Sequence, residues 1–234
     1  MNVHISKTKQ EVAESFASFL IDLSTTKDKI TVALSGGSTP KIVFDLLAER
    51  HQDINWSKFH FFWGDERCVP PTDEQSNYKM TVNHLLSKVS VPENNIFRVK
   101  GENDPTQEAI NYGQLLKEQL PVINNIPQFD LVILGMGDDG HTASIFPHEI
   151  ELWSSKNYCE VATHPDSGQK RVSITGGIIN NAQTVAFLVT GTSKLEKVKT
   201  ILNKEDGYLQ YPASLVVPIS NSLHWFMDKD AAGE

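Results

Sequence analysis

The sequence is poor in the features that mark several large classes of protein. It has two cysteines in 234 residues. Cys68 and Cys159 lie far apart and match no metal-ligand or redox spacing, which excludes a disulfide scaffold and fits a reducing cytoplasm. There is no block of lysine and arginine, and the formal net charge is −8. Nucleic-acid binding through counterion release needs a positive face, so a nucleic-acid partner is not expected. No apolar run approaches the length that spans a bilayer, and no membrane partner is expected. The start, Met1-Asn2-Val3-His4, lacks the basic segment and apolar stretch of a secretory signal. No internal repeat, low-complexity tract or long Gly/Ser linker interrupts the chain. No Gly-Lys-Ser/Thr follows a glycine loop as in a Walker A motif, and no G-x-S-x-G marks a serine hydrolase.

What the chain does have is a sizeable apolar fraction, 39%, distributed as short buried-type runs alternating with amphipathic stretches. Periodicity predicts helices over Lys7 to Leu23, from Thr39 with Pro40 in its first turn, Ser76 to Leu86, Thr106 to Leu120, Gly177–Asn181 and Ser193–Leu202. Strands are expected at Lys29–Leu34, Lys58–Trp63, Ile96–Val99, Phe129–Leu134, Tyr158–Thr163, Arg171–Thr175, Val185–Val189 and His224–Met227. Strands apolar on both faces and separated by helices imply a parallel sheet covered on both sides. The expected fold class is α/β, one doubly wound, mostly parallel sheet in a single domain over residues 1–234.

Three unusual segments each begin where a buried strand stops: Ser35-Gly36-Gly37-Ser38-Thr39-Pro40, Gly64-Asp65-Glu66-Arg67, and Gly135-Met136-Gly137-Asp138-Asp139-Gly140-His141. Strand C-termini of a parallel sheet share one edge, and ligands bind in the crevice there. The first segment sets Gly36, Gly37, Ser38 and Thr39 at a helix N-terminus, where free amides and the dipole suit an anion. A plain strand-to-helix turn capped by Ser38 or Thr39 is the simpler alternative. Asp65 and Arg67 stand on the same cleft edge. Arg171 and Lys194 are the further cations best placed for a phosphate; Lys194 at a helix start opposes the dipole, an arrangement that a bound phosphate would offset.

The third segment contains a literal G-x-G-x-x-G, but its two aspartates would repel a pyrophosphate, and Pro147 leaves no room for the long helix of a dinucleotide site. Its chemistry is that of a candidate general base, His141, oriented by a carboxylate from Asp139 or Asp65. A metal held by Asp65, Asp139 and His141 is set aside, since no other His or Cys pair stands at ligand spacing.

Together these segments resemble the 6-phosphogluconolactonase family, related to the glucosamine-6-phosphate deaminases and isomerases, over essentially the whole chain. The resemblance rests on Ser35–Pro40, on Trp63–Arg67 with Ser76-Asn77-Tyr78, on Gly135 through Pro147, and on the Arg171 strand and the Gly191-x-x-Lys194 turn. It implies hydrolysis of 6-phospho-D-glucono-1,5-lactone in the oxidative pentose phosphate pathway, with no cofactor and no metal. His141 would be the base, Asp139 its partner, and Gly36, Gly37, Ser38, Thr39, Asp65, Arg67, Arg171 and Lys194 would bind the substrate. A deaminase is the main alternative, but deaminases carry a glutamate where Phe146 stands here. A non-catalytic sugar-phosphate-binding domain would have no need of the Asp139/His141 pair. The oligomeric state is open, with a monomer favoured.

Overall fold

The computed structural model describes residues 1–50 and 54–234. In chain order its elements are β1 (Asn2–Ser6), α1 (Lys9–Thr25), β2 (Ile30–Leu34), α2 (Ser38–Arg50), β3 (Phe59–Trp63), β4 (Asp65–Arg67), α3 (Asn77–Thr81), β5 (Ile96–Phe97) and α4 (Pro105–Gln119). There follow β6 (Val122–Ile123), β7 (Ile126–Pro127), β8 (Leu131–Leu134), β9 (Cys159–Thr163), β10 (Lys170–Ile174), α5 (Gly176–Asn181), β11 (Thr184–Val189), α6 (Leu195–Leu202), β12 (Leu223–Asp228) and α7 (Lys229–Ala232).

Seven strands form the main sheet in the order β1-β12-β11-β8-β2-β3-β5, and every neighbouring pair is parallel. Every residue of β2, β8 and β11 is buried, because helices cover both faces and leave no solvent-facing side to alternate with. The chain adds strands in one direction from β2 through β3 to β5. It then returns to place β8 on the other side of β2 and continues outward through β11 and β12. That reversal between β2 and β8 opens a crevice at their C-terminal ends, where two of the three glycine-rich segments begin.

Local chemistry sets the helix starts. Thr8 accepts from the Glu11 N–H while Glu11 accepts from the Lys7 N–H at 2.8 Å. This reciprocal cap starts α1 at Lys9, two residues later than the periodicity suggests. Asp104 caps α4, with Pro105 in the first turn. Tyr112 of α4, fully buried, binds both the N–H and the C=O of Trp63 at 2.8 and 2.9 Å, which pins the end of β3 and the segment after it.

Three differences from the sequence reading have physical causes. Strands β9 and β10 lie outside the parallel sheet: they pair antiparallel with each other and with β4 in a separate three-stranded sheet. Short apolar runs carry no record of which sheet they join. The helix expected over Ser76 to Leu86 is an α-helical turn (α3) that widens over 82–86 into a π-type turn. Strand β1, at the sheet edge against β12, and the small β6–β7 hairpin were not anticipated. Val3 and Ile5 of β1 are exposed and its other residues polar, so it lacks the buried pattern.

Candidate active site

Loop, small sheet and helix start meet in one cleft of about 240 Å³. Its lining includes Gly36, Gly37, Ser38, Thr39, Asp65, Arg67, His141, Arg171 and Lys194. These are nine of the ten residues singled out from the sequence; Asp139, the tenth, stands behind His141.

The Ser35–Pro40 segment turns from β2 into α2 through Gly37, whose φ of +109° suits glycine. The first backbone bond that closes on this turn runs from Lys41 N–H to Gly37 C=O, at 3.3 Å. The Ser38 and Thr39 amides thus precede the ladder of α2, and Pro40 has none. Thr39 does not cap the helix: its buried hydroxyl bonds that of Thr190 at 2.8 Å and ties the segment to the end of β11. Gly36 has a different necessity, since a Cβ there would lie 1.9 Å from Asn77 Oδ1.

The small antiparallel sheet sets the cations. Its register places Arg67 of β4 directly opposite Arg171 of β10. Like charges in that relation repel, and an anion between them relieves the cost. Arg67 donates from Nη1 to the Gln75 C=O at 2.6 Å, while the buried Nε atoms of both arginines have no protein partner. Burial lowers the Arg171 pKa, with Asp65 acting in the opposite sense. Asp65 is buried, accepts from Ser144 Oγ at 2.6 Å and lies beside Asn77.

His141 Nδ1 stands 2.6 Å from Asp139 Oδ1, and the same oxygen accepts from the His141 N–H at 3.1 Å. The carboxylate that partners His141 is therefore Asp139; Asp65 is held by Ser144. Burial pushes the Asp139 carboxyl up, but the His141 ring and amide outweigh it and hold the pKa at about 2. An ionised Asp139 only accepts, so in the neutral ring the tautomer it selects has the proton on Nδ1 and the lone pair on Nε2. The turn needs Gly137, because a Cβ there would lie 2.1 Å from His141 Nδ1. Phe146, fully buried, packs against the His141 ring at 4.6 Å between centroids, with the Arg171 guanidinium 5.6 Å from its own centroid.

Lys194 is not free in the cleft. Its ammonium lies 2.5 Å from Asp138 Oδ1, which also accepts from Ser193 Oγ at 3.0 Å. That hydrogen bond from Lys194 is the main reason the Asp138 pKa falls below its ordinary value. Nothing in the local sequence marks this pair, whose members are 56 residues apart, or the Ser144–Asp65 bond. The one available hint was an acidic residue beside a glycine loop that otherwise suits an anion. Burial first of all raises the Cys68 thiol to about 11, which disfavours the thiolate that a nucleophile needs. Among the described residues, no group of three or more His, Cys, Asp or Glu could hold a metal ion. No helix among them is long and apolar enough to cross a membrane.

Residues 5–225 match the family described as glucosamine-6-phosphate isomerases/6-phosphogluconolactonase. The chain belongs to this family. It is 46% identical over 202 residues to 6-phosphogluconolactonase of Treponema pallidum, covering 86% of this chain and 84% of the relative. It is 39% identical over 233 residues to 6-phosphogluconolactonase of Haemophilus influenzae, covering 99% and 98% respectively. The solved structure of 6-phosphogluconolactonase from Trypanosoma brucei superposes with a TM-score of 0.89 at 27% identity, covering 99% of this chain and 97% of that one. The family's description names two activities, and the side chains of this cleft bear on which of them the chain performs.

Proposed function

We propose that the protein hydrolyses 6-phospho-D-glucono-1,5-lactone to 6-phosphogluconate, the lactonase step of the oxidative pentose phosphate pathway. The observation that carries this reading is the His141–Asp139 pair, 2.6 Å apart, in the same cleft as Arg67, Arg171 and Lys194. One end of the cleft suits a phosphate and the other activates water.

The phosphate lies on the amides that open α2, with Arg67 and Arg171 around it and Lys194 shared with Asp138. This fixes the lactone ring with C1 toward His141. Nε2 of His141 takes a proton from water as the water oxygen attacks C1, and Asp139 stabilises the imidazolium that forms. The tetrahedral oxyanion collapses, the bond from C1 to the ring oxygen breaks, and His141 returns the proton to that oxygen. Backbone N–H groups of one of the glycine segments stabilise the oxyanion in this reading. Water is the only co-reactant. A deaminase would need a carboxylate where Phe146 puts a buried ring against His141.

Hydrolysis of freshly made 6-phosphogluconolactone, measured above its spontaneous rate, tests the reading directly. Turnover far above background is expected; no acceleration at any enzyme concentration would refute it.

A further inference from the structure

Strand β4 alternates. Asp65 and Arg67 line the cleft, while Glu66 between them turns to the opposite side and is 2% exposed. A buried carboxylate is costly unless its lone pairs are filled. Those of Glu66 are. Oε1 accepts from the Arg67 and Asn77 N–H groups, both at 2.8 Å. Oε2 accepts from the Tyr78 N–H at 2.7 Å and from Ser76 Oγ at 3.1 Å. Burial raises its pKa, and the three backbone N–H groups oppose that by favouring the charged form.

These donors belong to cleft-forming segments. One is the amide of Arg67 itself. Another is the amide of Asn77, whose side chain donates to the Asp65 C=O at 2.9 Å and fills the space beside Gly36. One carboxylate thus fixes the spacing between the strand that bears Arg67 and the segment against which the anion loop packs. The Arg67–Gln75 hydrogen bond, 2.6 Å, spans the same two segments on the cleft side.

We propose that Glu66 is a positioning residue for phosphate recognition. It touches no substrate, and holds Arg67 and, through Asn77, the Gly36 loop at the separation a phosphate requires. His141 and Asp139 lie on a different segment, after β8, so the inference separates binding from chemistry. It rests on the lactonase reading above.

The test compares wild type, Glu66→Gln and Ser76→Ala on 6-phosphogluconolactone and on unphosphorylated gluconolactone, with thermal melting to count folded protein. Glu66→Gln keeps the shape but turns an NH2 group toward two donors; Ser76→Ala removes one donor and leaves the charge. For Glu66→Gln we expect KM for the phosphorylated lactone to rise about tenfold, with kcat per folded molecule within about twofold. For Ser76→Ala the rise is about two- to threefold. Weak turnover of the unphosphorylated lactone does not change in either variant. A merely structural role would lower the folded fraction and leave KM alone, and that result overturns the proposal. So does an equal loss on both substrates. If Glu66→Gln does not fold, Ser76→Ala decides, and an unchanged KM there refutes the idea. Wild type inactive on 6-phosphogluconolactone would instead overturn the functional reading itself.

Discussion

Removing His141 and, separately, the charge of Asp139 dissects the proposed chemistry. His141→Ala deletes the ring proposed to take a proton from water, and a positioned general base is worth about 10²–10⁴-fold in rate. Asp139→Asn keeps an acceptor for Nδ1–H and so preserves the tautomer, but removes the negative charge. The carboxyl lies at about 2 instead of 3.8, a displacement equivalent to about 2 kcal/mol between its two forms. Burial and backbone N–H groups enter that value beside the His141 ring, so only part of it measures the attraction that favours the imidazolium of the transition state. The Asp139 side chain is 41% exposed, and solvent screening leaves about 1 kcal/mol, roughly fivefold in rate. The assay is lactone hydrolysis after subtraction of the spontaneous rate, with 6-phosphogluconate binding measured by calorimetry. Binding should survive in both variants, because the phosphate contacts lie at the other end of the ligand. A folded His141→Ala protein that turns over at close to the normal rate refutes the mechanism. So does an Asp139→Asn loss as large as that of His141→Ala, which would make the carboxylate more than an orienting partner.

Other expectations follow from the same geometry. Arg171→Ala and Lys194→Ala should each cost about 1.5–3 kcal/mol in kcat/KM for the phosphorylated lactone, with unphosphorylated gluconolactone nearly indifferent; equal losses on both would show a folding role. Gly137→Ala would set a Cβ 2.1 Å from His141 Nδ1 and 2.6 Å from Asp139 Oδ1, so kcat should fall by at least as much as in Asp139→Asn, with 6-phosphogluconate binding retained. Glucosamine 6-phosphate should release no ammonia above background, since Phe146 offers no carboxylate; efficient deamination would transfer the assignment to the other branch of the family. Asp139 also links stability to pH. Its folded pKa is depressed, so its contribution is complete above 3.8 and lost as pH falls toward about 2. Asp139→Asn should flatten the acid limb of a denaturation curve over that window, and an unchanged limb would contradict the pairing.

The sequence alone determined what depends on short-range pattern. Runs such as Ile30–Leu34 and Leu131–Leu134 are apolar on both faces, and this is enough to place them in a covered parallel sheet with their following loops on one edge. The convergence of Ser35–Pro40, Asp65–Arg67 and Gly135–His141 follows from that rule, and it is what makes His141 a candidate base. Pairing across long separations is another matter. Which of two carboxylates would hold His141 was open, because Asp139 and Asp65 are equally acidic on paper. Only the fold shows Ser144 engaging Asp65. The Asp138–Lys194 bond and the placement of Arg67 opposite Arg171 likewise join residues far apart in the chain. The small β4–β10–β9 sheet was invisible for the same reason: a strand's residues specify that it pairs, while its partner is chosen by register, burial and the closure of the whole core. Glu66 is the clearest case. In sequence it is one charge in a charged triplet; in the structure, strand alternation carries it to the dry side of β4, where four donors meet it.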